Sequence, residues 1–376
     1  MSTSKPVALL YANIKGNIGD FAILDSMLRD INRRFPGQPI EVYSHGFLQA
    51  DERRLDAFQV SSGTPEFKLV GLTFFRSVPL VIKRLYKLRV WPWVQRILIS
   101  RLVRQSLTAA KRFAKYEAIF LAGGDQWNGM DLGISMFATL LAVSRYNSNI
   151  LHYPFSLNPD VRNYNFDIDL RRYFAFVKAP LPVRDSITFD LATRIGLPVR
   201  LVRDSVYLLS DVGQAVPAIK ARNAQRILLV LTGSHSRVAL RRSLGLVLER
   251  LQYHEKPVEM LTTCEIEDLD IYAELGKSFG VDVRVPMTWQ ETVSELKSTA
   301  IVVTDRLHCL ILGTFAECTL FPVTDRKKAE AFVRDTNILH YCARIEDITC
   351  QQLDEAMANR ADTLHKMQQY RDLSCF

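Results

Sequence analysis

Twice along this chain of 376 residues, short apolar runs alternate with stretches of helical periodicity, and that double alternation restricts the fold more than any other feature. In the first half, runs at 7–11, 39–43 and 118–121 are interleaved with helical patterns at 21–35 and 134–143. Strand and helix in alternation make a parallel sheet covered on both faces. A second series predicts strands at 227–231, 258–262, 281–284, 301–304 and 319–323, with helices at 236–251, 268–279, 289–298 and 308–316 between them. The join falls near 210–223, where periodicity is weak and Gly213, Pro217 and several small residues gather. The expectation is an α/β chain of two doubly wound, Rossmann-like domains facing a cleft. The first takes residues 1–215 and the second 216–345, and a polar helical stretch, 346–376, can pack back on the first domain. No internal repeat is evident.

Composition supports this reading, since 48% hydrophobic residues over this length are enough for two ordinary cores. After Ser4-Lys5-Pro6 the run 7–11 is too short for a secretory signal and reads as a first strand. The longest quiet apolar stretch, 132–144, is bounded by Asp131 and Arg145 and falls short of the roughly 20 residues of a spanning helix. A soluble protein without a membrane span is therefore expected. The six cysteines lie in the C-terminal part of the chain without paired spacing, which favours reduced thiols and argues against structural zinc.

The net charge of +8 is unevenly spread. Residues 67–116 carry twelve basic and no acidic side chains, so the remainder is net acidic. An electrostatic partner meets this segment first. Arg101, Arg104, Lys111 and Lys115 share one helical face, and Leu98, Leu102, Ala109 and Phe113 another. That pattern suits a helix over 93–115, started by Pro92, through which the basic stretch 76–115 lies on an anionic membrane surface, and equally a solvated basic face on a core helix. Tyr86, Trp91 and Trp93 read as interface anchors rather than a base-stacking platform, so no nucleic-acid partner is expected.

Ligands of open parallel sheets sit beyond the C-terminal ends of the strands, and four motifs stand there. Gly16-Asn17-Ile18-Gly19-Asp20 is a tight turn opening a helix, whose free N–H groups attract anions. It lacks the GxGxxG spacing, and Asp20 serves equally well as a helix cap. In Ala122-Gly123-Gly124-Asp125-Gln126-Trp127-Asn128, two glycines open space for a ligand. Asp125 is a candidate general base or hydroxyl binder, with Gln126 and Asn128 as further contacts. Arg184-Asp185-Ser186 and Arg203-Asp204-Ser205 repeat one triplet at two predicted strand ends. An arginine there can grip a carboxylate or phosphate with paired hydrogen bonds, or form a buried ion pair that ties loops together. The second alternative is favoured for Arg203. In the fourth motif, Thr304-Asp305-Arg306-Leu307-His308-Cys309, a strand runs straight into a helix. It sets Arg306 and His308 at the positive end of the helix dipole.

Taken in order, Gly16 to Asp20, Gly123-Gly124, Arg184-Asp185-Ser186 and Arg306-Leu307-His308 resemble the polysaccharide pyruvyl transferases, from residue 7 to residue 328. The resemblance implies a fold like that of GT-B glycosyltransferases, with phosphoenolpyruvate as donor. It implies as acceptor a hexose diol of an exopolysaccharide or lipid-linked oligosaccharide, converted to a pyruvate ketal. By motif position, Arg184, Arg306, Leu307 and His308 would hold phosphoenolpyruvate, and Asp125 would face the acceptor. Two departures stand out. The family's third glycine in the first-domain turn is replaced by Ala122 or Asp125, and the glycine-rich strand end that should follow reads Tyr153-Pro154-Phe155-Ser156-Leu157.

Side-chain chemistry agrees with that reading. A carboxylate and a phosphate call for arginines and a helix N-terminus, and protonation at C3 calls for an acid such as His308. No metal and no cofactor beyond the co-substrate is required. The alternative is a GT-B-type glycosyltransferase using a nucleotide sugar. The expected location is cytoplasmic, peripheral on the inner face of the membrane.

Overall fold

The computed structural model describes residues 4–14, 16–44, 52–61, 65–71, 92–127, 130–157, 171, 180–218, 226–232, 237–252 and 254–372. The first half begins with β1 (Val7–Ala12), α1 (Ile18–Arg34), β2 (Ile40–Ser44), α2 (Glu52–Ser61), β3 (Phe67–Gly71) and α3 (Pro92–Ala110). It continues with β4 (Ile119–Leu121), β5 (Gly124–Trp127), α4 (Met130–Val143), β6 (Ile150–His152), β7 (Phe155–Leu157), β8 (Leu181–Val183), α5 (Ser186–Arg194) and β9 (Val199–Leu201). A 3-10 turn, Ser205–Leu209, and α6 (Ser210–Ala215) occupy the region read from sequence as an aperiodic join. There Gly213 packs so close to Phe315 that a Cβ would lie 2.6 Å from its ring.

The second half runs β10 (Ile227–Val230), α7 (Arg237–Leu251), β11 (Val258–Leu261), α8 (Glu265–Phe279), β12 (Asp282–Arg284), α9 (Trp289–Lys297) and β13 (Ile301–Thr304). It ends with α10 (Leu307–Ala316), β14 (Thr319–Pro322), α11 (Lys327–Thr336), α12 (Cys350–Ala358) and α13 (Arg360–Asp372).

The described strands form three parallel sheets. In the first sheet the order is β3-β2-β1-β4-β6, and in the second half β12-β11-β10-β13-β14. A smaller sheet, β5-β7-β8-β9, continues the first, because the chain passes from β4 to β5 and from β6 to β7 across the same level. Both passages kink where Gly124 N–H donates to the Pro154 carbonyl at 3.1 Å. In each five-stranded sheet the order reverses beside the first strand, β1 or β10. That reversal opens the crevice in which ligands of such folds bind.

The two halves share a core. One continuous cluster joins Leu9, Phe21, Leu24 and Met27 of the first half to Val230, Trp289, Leu310 and Phe315 of the second. Helix α1 lies between them and is buried on nearly every side, down to the carboxylates of Asp25 and Asp30. Asp25 accepts from Trp289 Nε1 at 3.0 Å across the two halves, and Arg29 balances its charge at 2.9 Å. Helix α13 returns to this core through Met367, and its Tyr370 meets the rings of Tyr207 and Phe332 edge-on.

Residues 72–91 of the basic segment lie outside the described residues. From Pro92 onward the helical reading holds as far as Ala110, where a 3-10 turn, Lys111–Lys115, interrupts the common basic face. Val103, Ala110 and Phe113 are buried in a core with Phe137 and Leu140 of α4; of the apolar stripe read from sequence only Phe113 is among them, with Leu102 half-buried against the same core, so the buried face is shifted by one residue to Val103 and Ala110. Lys115 pairs with Glu41 at 3.2 Å and Arg112 lies over the Tyr43 ring. Among the described residues no helix is long and apolar enough to cross a membrane.

Candidate active site

The glycine turn after β1 and the Arg-Leu-His turn after β13 meet. Asn17 is the N-cap of α1, its Oδ1 accepting from Gly19 N–H at 3.0 Å, while Ile18 N–H donates to the Thr263 carbonyl of the second half at 3.0 Å. The cap is therefore Asn17 and not Asp20, which sits in the first turn and accepts from Asn13 Nδ2 at 2.7 Å. Gly19 lies flat against His308, and a Cβ there would stand 2.1 Å from the imidazole Nδ1. A buried ring cannot yield by that much, so a residue without a side chain is required.

His308 is in the first turn of α10 and its side chain is 18% exposed. Burial pushes the imidazole down to a pKa of about 4; Asp204 opposes that fall, and Arg184 and Arg306 add to it. The ring is thus neutral at pH 7. Its Nε2 stands 4.0 Å from Asp204 Oδ2, too far for a hydrogen bond, and has no hydrogen-bond partner among the described residues.

Arg184 and Arg306 both have carboxylate partners. Arg184 Nη1 donates to Asp204 Oδ2 at 2.6 Å and its Nε to Ser156 Oγ at 2.7 Å. Ser156 in turn donates to Asp185, the N-cap of α5, at 2.6 Å. The two Arg-Asp-Ser triplets therefore bind each other, and the tying ion pair belongs to Arg184. Arg203, expected to form such a pair, instead stacks on Tyr207, with its Nε unbonded. Arg306 is the N-cap residue of α10; its guanidinium donates to the buried Asp268 and its main-chain N–H to Thr304 Oγ1 at 3.0 Å. The Nε of Arg306 is buried without a hydrogen-bond partner.

Helices α8, α10 and α11 follow β11, β13 and β14, and all start without a side-chain cap. The C-terminal edge of the second sheet thus presents unfilled N–H groups and three positive dipole ends, a setting that stabilises an anion. Beside it is a recess of about 330 Å³, counted out to its open mouth, lined among others by Arg184, Asp204, Leu307, Lys328, Asp335 and Tyr370. Burial lowers the Lys328 ammonium to a pKa of about 8, with Asp20 pulling the other way.

Gly123 and Gly124 do not line an open space. A Cβ at Gly123 would stand 2.5 Å from the Pro154 carbonyl, and Gly124 has a φ of +95° with Ile23 close by. They serve the kink between β4 and β5. The strand β5 contains Asp125 and Gln126, but their side chains lie outside the description, as does Asn128 altogether. The structure thus brings together Asn17, Gly19, Asp20, Arg184, Arg306, Leu307 and His308.

Sequence reading missed Asp204 as the partner of Arg184 that also faces His308, Lys328 as a recess residue, and Arg54. Fully buried, Arg54 donates to the carbonyls of Gly16, Thr263 and Pro286. Asp204 had been visible as half of a repeated triplet. A lysine or arginine on a helix carries no local signal of this kind.

Among solved structures the chain is similar to the UDP-GlcNAc 2-epimerase of Neisseria meningitidis bound to UDP-GlcNAc, at 10% identity over 98% of this chain and 95% of that one, with a TM-score of 0.56. It is similar to UGT2 of Phytolacca americana, complexed with UDP-2fluoro-glucose and pterostilbene, at 10% identity over 99% and 95%, with a TM-score of 0.56. It is also similar to MurG of Acinetobacter baumannii, at 14% identity over 99% and 96%, with a TM-score of 0.50. At such identities the likeness shows the fold, an α/β architecture of the GT-B kind. No curated protein matches the sequence. The family model of the polysaccharide pyruvyl transferases matches residues 17–324, from the cap of the glycine turn to just beyond β14, and the chain belongs to that family.

Proposed function

We propose that the protein transfers the enolpyruvyl group of phosphoenolpyruvate to a hexose diol of an exopolysaccharide or lipid-linked oligosaccharide, forming a pyruvate ketal and releasing phosphate. The observation that carries this reading is the meeting of the glycine turn with Arg306-Leu307-His308 at three uncapped helix starts, inside the region matched by the family. The donor's carboxylate and phosphate would be bound by the N–H groups of α10 together with Arg184 and Arg306. Lys328 would supply a third cation at the recess.

In the reaction, His308 delivers a proton to C3 and one sugar hydroxyl adds at C2. Phosphate leaves with the C2–O bond, and the neighbouring hydroxyl closes the ketal. The two hydroxyl protons replace the one spent on C3 and neutralise the departing phosphate. We assign one of those transfers to Asp125. No metal or organic cofactor enters this scheme. We place the reaction in the cytoplasm, with residues 76–115 meeting the inner membrane surface by charge when the acceptor is lipid-linked.

A second reading is favoured by one observation, that two of the similar structures hold UDP-sugars. It is a glycosyltransferase using a nucleotide sugar. Melting temperature separates the two, because a ligand bound only by the folded state must raise it. Phosphoenolpyruvate at millimolar concentration is expected to raise the midpoint, and Arg306→Ala to abolish the rise. His308→Ala should retain the rise but release no phosphate with any saccharide acceptor. A rise with UDP-glucose or GDP-mannose alone would replace the pyruvyl donor by a nucleotide sugar.

A further inference from the structure

Asp204 stands between a cation it already holds and a base it does not reach. Its Oδ1 is fixed by Val206 N–H at 2.9 Å, and its Oδ2 takes Arg184 Nη1 at 2.6 Å. The same Oδ2 lies 4.0 Å from the unbonded Nε2 of His308. Arg184 has a second anchor, from Nε to Ser156 at 2.7 Å, so its terminal nitrogens can change partners while the guanidinium stays in place. The charged groups facing the imidazole are Asp204, Arg184 at the end of β8 and Arg306 at the N-cap of α10. Helix α1 puts the Gly19 backbone against the ring; its Asp20 faces Asn13 and Lys328 of α11.

A neutral imidazole cannot protonate C3. A buried ion pair, moreover, cannot simply open, because each charge left alone would be strongly disfavoured. An incoming anion removes both obstacles. We propose that Asp204 is an exchangeable counter-ion: a donor anion captured by Arg184 takes the place of Asp204 Oδ2 on its terminal nitrogen, and the released carboxylate turns to His308 Nε2 and holds the proton that the imidazole takes up from solvent. Before the exchange the pair is Arg184 with Asp204; afterwards it is Arg184 with the donor and Asp204 with the imidazolium. No buried charge is unpaired in either state, and the acid is generated only when the donor is in place. Asp204 is thus a positioning residue that acts through His308, and the inference rests on the phosphoenolpyruvate reading given above.

The test is an NMR titration of the full chain labelled at histidine, with the His308 signal identified by its loss in His308→Gln. Without ligand the midpoint is expected near pH 4. With saturating phosphoenolpyruvate and no acceptor it should rise by about two pH units or more. In Asp204→Asn, phosphoenolpyruvate should still raise the melting temperature, but the midpoint should stay low. A wild-type midpoint unmoved by phosphoenolpyruvate that nevertheless stabilises the protein would overturn the exchange and leave the donor assignment standing. An equal rise in Asp204→Asn would also overturn it. Absence of any stabilisation by phosphoenolpyruvate would remove the donor assignment and the exchange with it.

Discussion

His308 shows how a single side chain takes its properties from neighbours far away in sequence. Its ring is closed in by the Gly19 backbone on one side and looks at Asp204 across 4.0 Å on another. Because burial holds its pKa near 4 in the folded chain, against about 6.5 unfolded, the unfolded state binds a proton in that window that the folded state refuses. Stability from this group is therefore present above pH 6.5 and is lost as the pH falls toward 4. Between pH 7 and pH 5 the loss should be about 1–2 kcal/mol. His308→Gln should remove that share of the acid destabilisation, read as a smaller shift of the urea midpoint between the two pH values. His152, held down to about 3 by burial, stays in both proteins and cancels in the comparison. Equal pH slopes would mean that the imidazole is not desolvated in the folded chain.

Among the elements, α2 makes a contribution out of proportion to its length. Its Arg54 reaches across to the glycine turn, to the end of β11 and to the loop before α9, joining carbonyls of Gly16, Thr263 and Pro286. Gly16 precedes the cap of α1, and Thr263 is the residue to which Ile18 N–H donates, so Arg54 holds in place the turn that presses on His308. Arg54→Met keeps the aliphatic stem and removes the donors, leaving the Gly16 and Pro286 carbonyls short of a partner while the Thr263 carbonyl keeps Ile18 N–H. At about 1–3 kcal/mol for each such group, a loss of several kcal/mol is expected. A fall in turnover should accompany it, because α1 loses its fixed distance from α10. Calorimetry and phosphate release on the variant check the two parts, and an unchanged melting temperature would show that the bonds contribute nothing net.

At the scale of the molecule, the two halves are not independent bodies joined by a hinge. Leu9 and Val230, each on the central strand of its sheet, belong to one apolar cluster, with α1, α9 and α10 between them. The Asp25–Trp289 bond lies inside that contact. Opening the two sheets as separate lobes would expose this cluster to water at a cost of roughly 25 cal/mol for each Å² of apolar surface. The whole chain should therefore melt in one transition, with calorimetric and van't Hoff enthalpies equal. Two resolved transitions would show that the shared cluster does not couple the halves.

Much of this was already written in the sequence. Strand runs and helical periods are local, so the order of the second half from β10 to β14, the elements β1, α1, β2, β4 and α4 of the first half, the Pro92 helix start and the turn from β13 into α10 were readable to within a few residues, as was the glycine turn that α1 grows from, whereas β3, β5, α2 and α6 were not. Those features depend on backbone chemistry and on side chains a few positions apart. What they bring together depends on distances that no local pattern encodes. Asp204 follows Arg184 by twenty residues, yet only the adjacency of β8 and β9 turns two similar triplets into one ion pair and gives Arg203 the aromatic contact instead. Gly123 and Gly124 read as space for a ligand, and tertiary packing fills that space with the Pro154 carbonyl. Lys328 has no local signal in the sequence, and only the packing of α11 sets it at the recess. The sequence by itself thus determined the elements and the turns that carry the chemistry. Tertiary structure alone decided which charges are paired and which base is neutral, because desolvation and ion pairing are set by which strand ends meet.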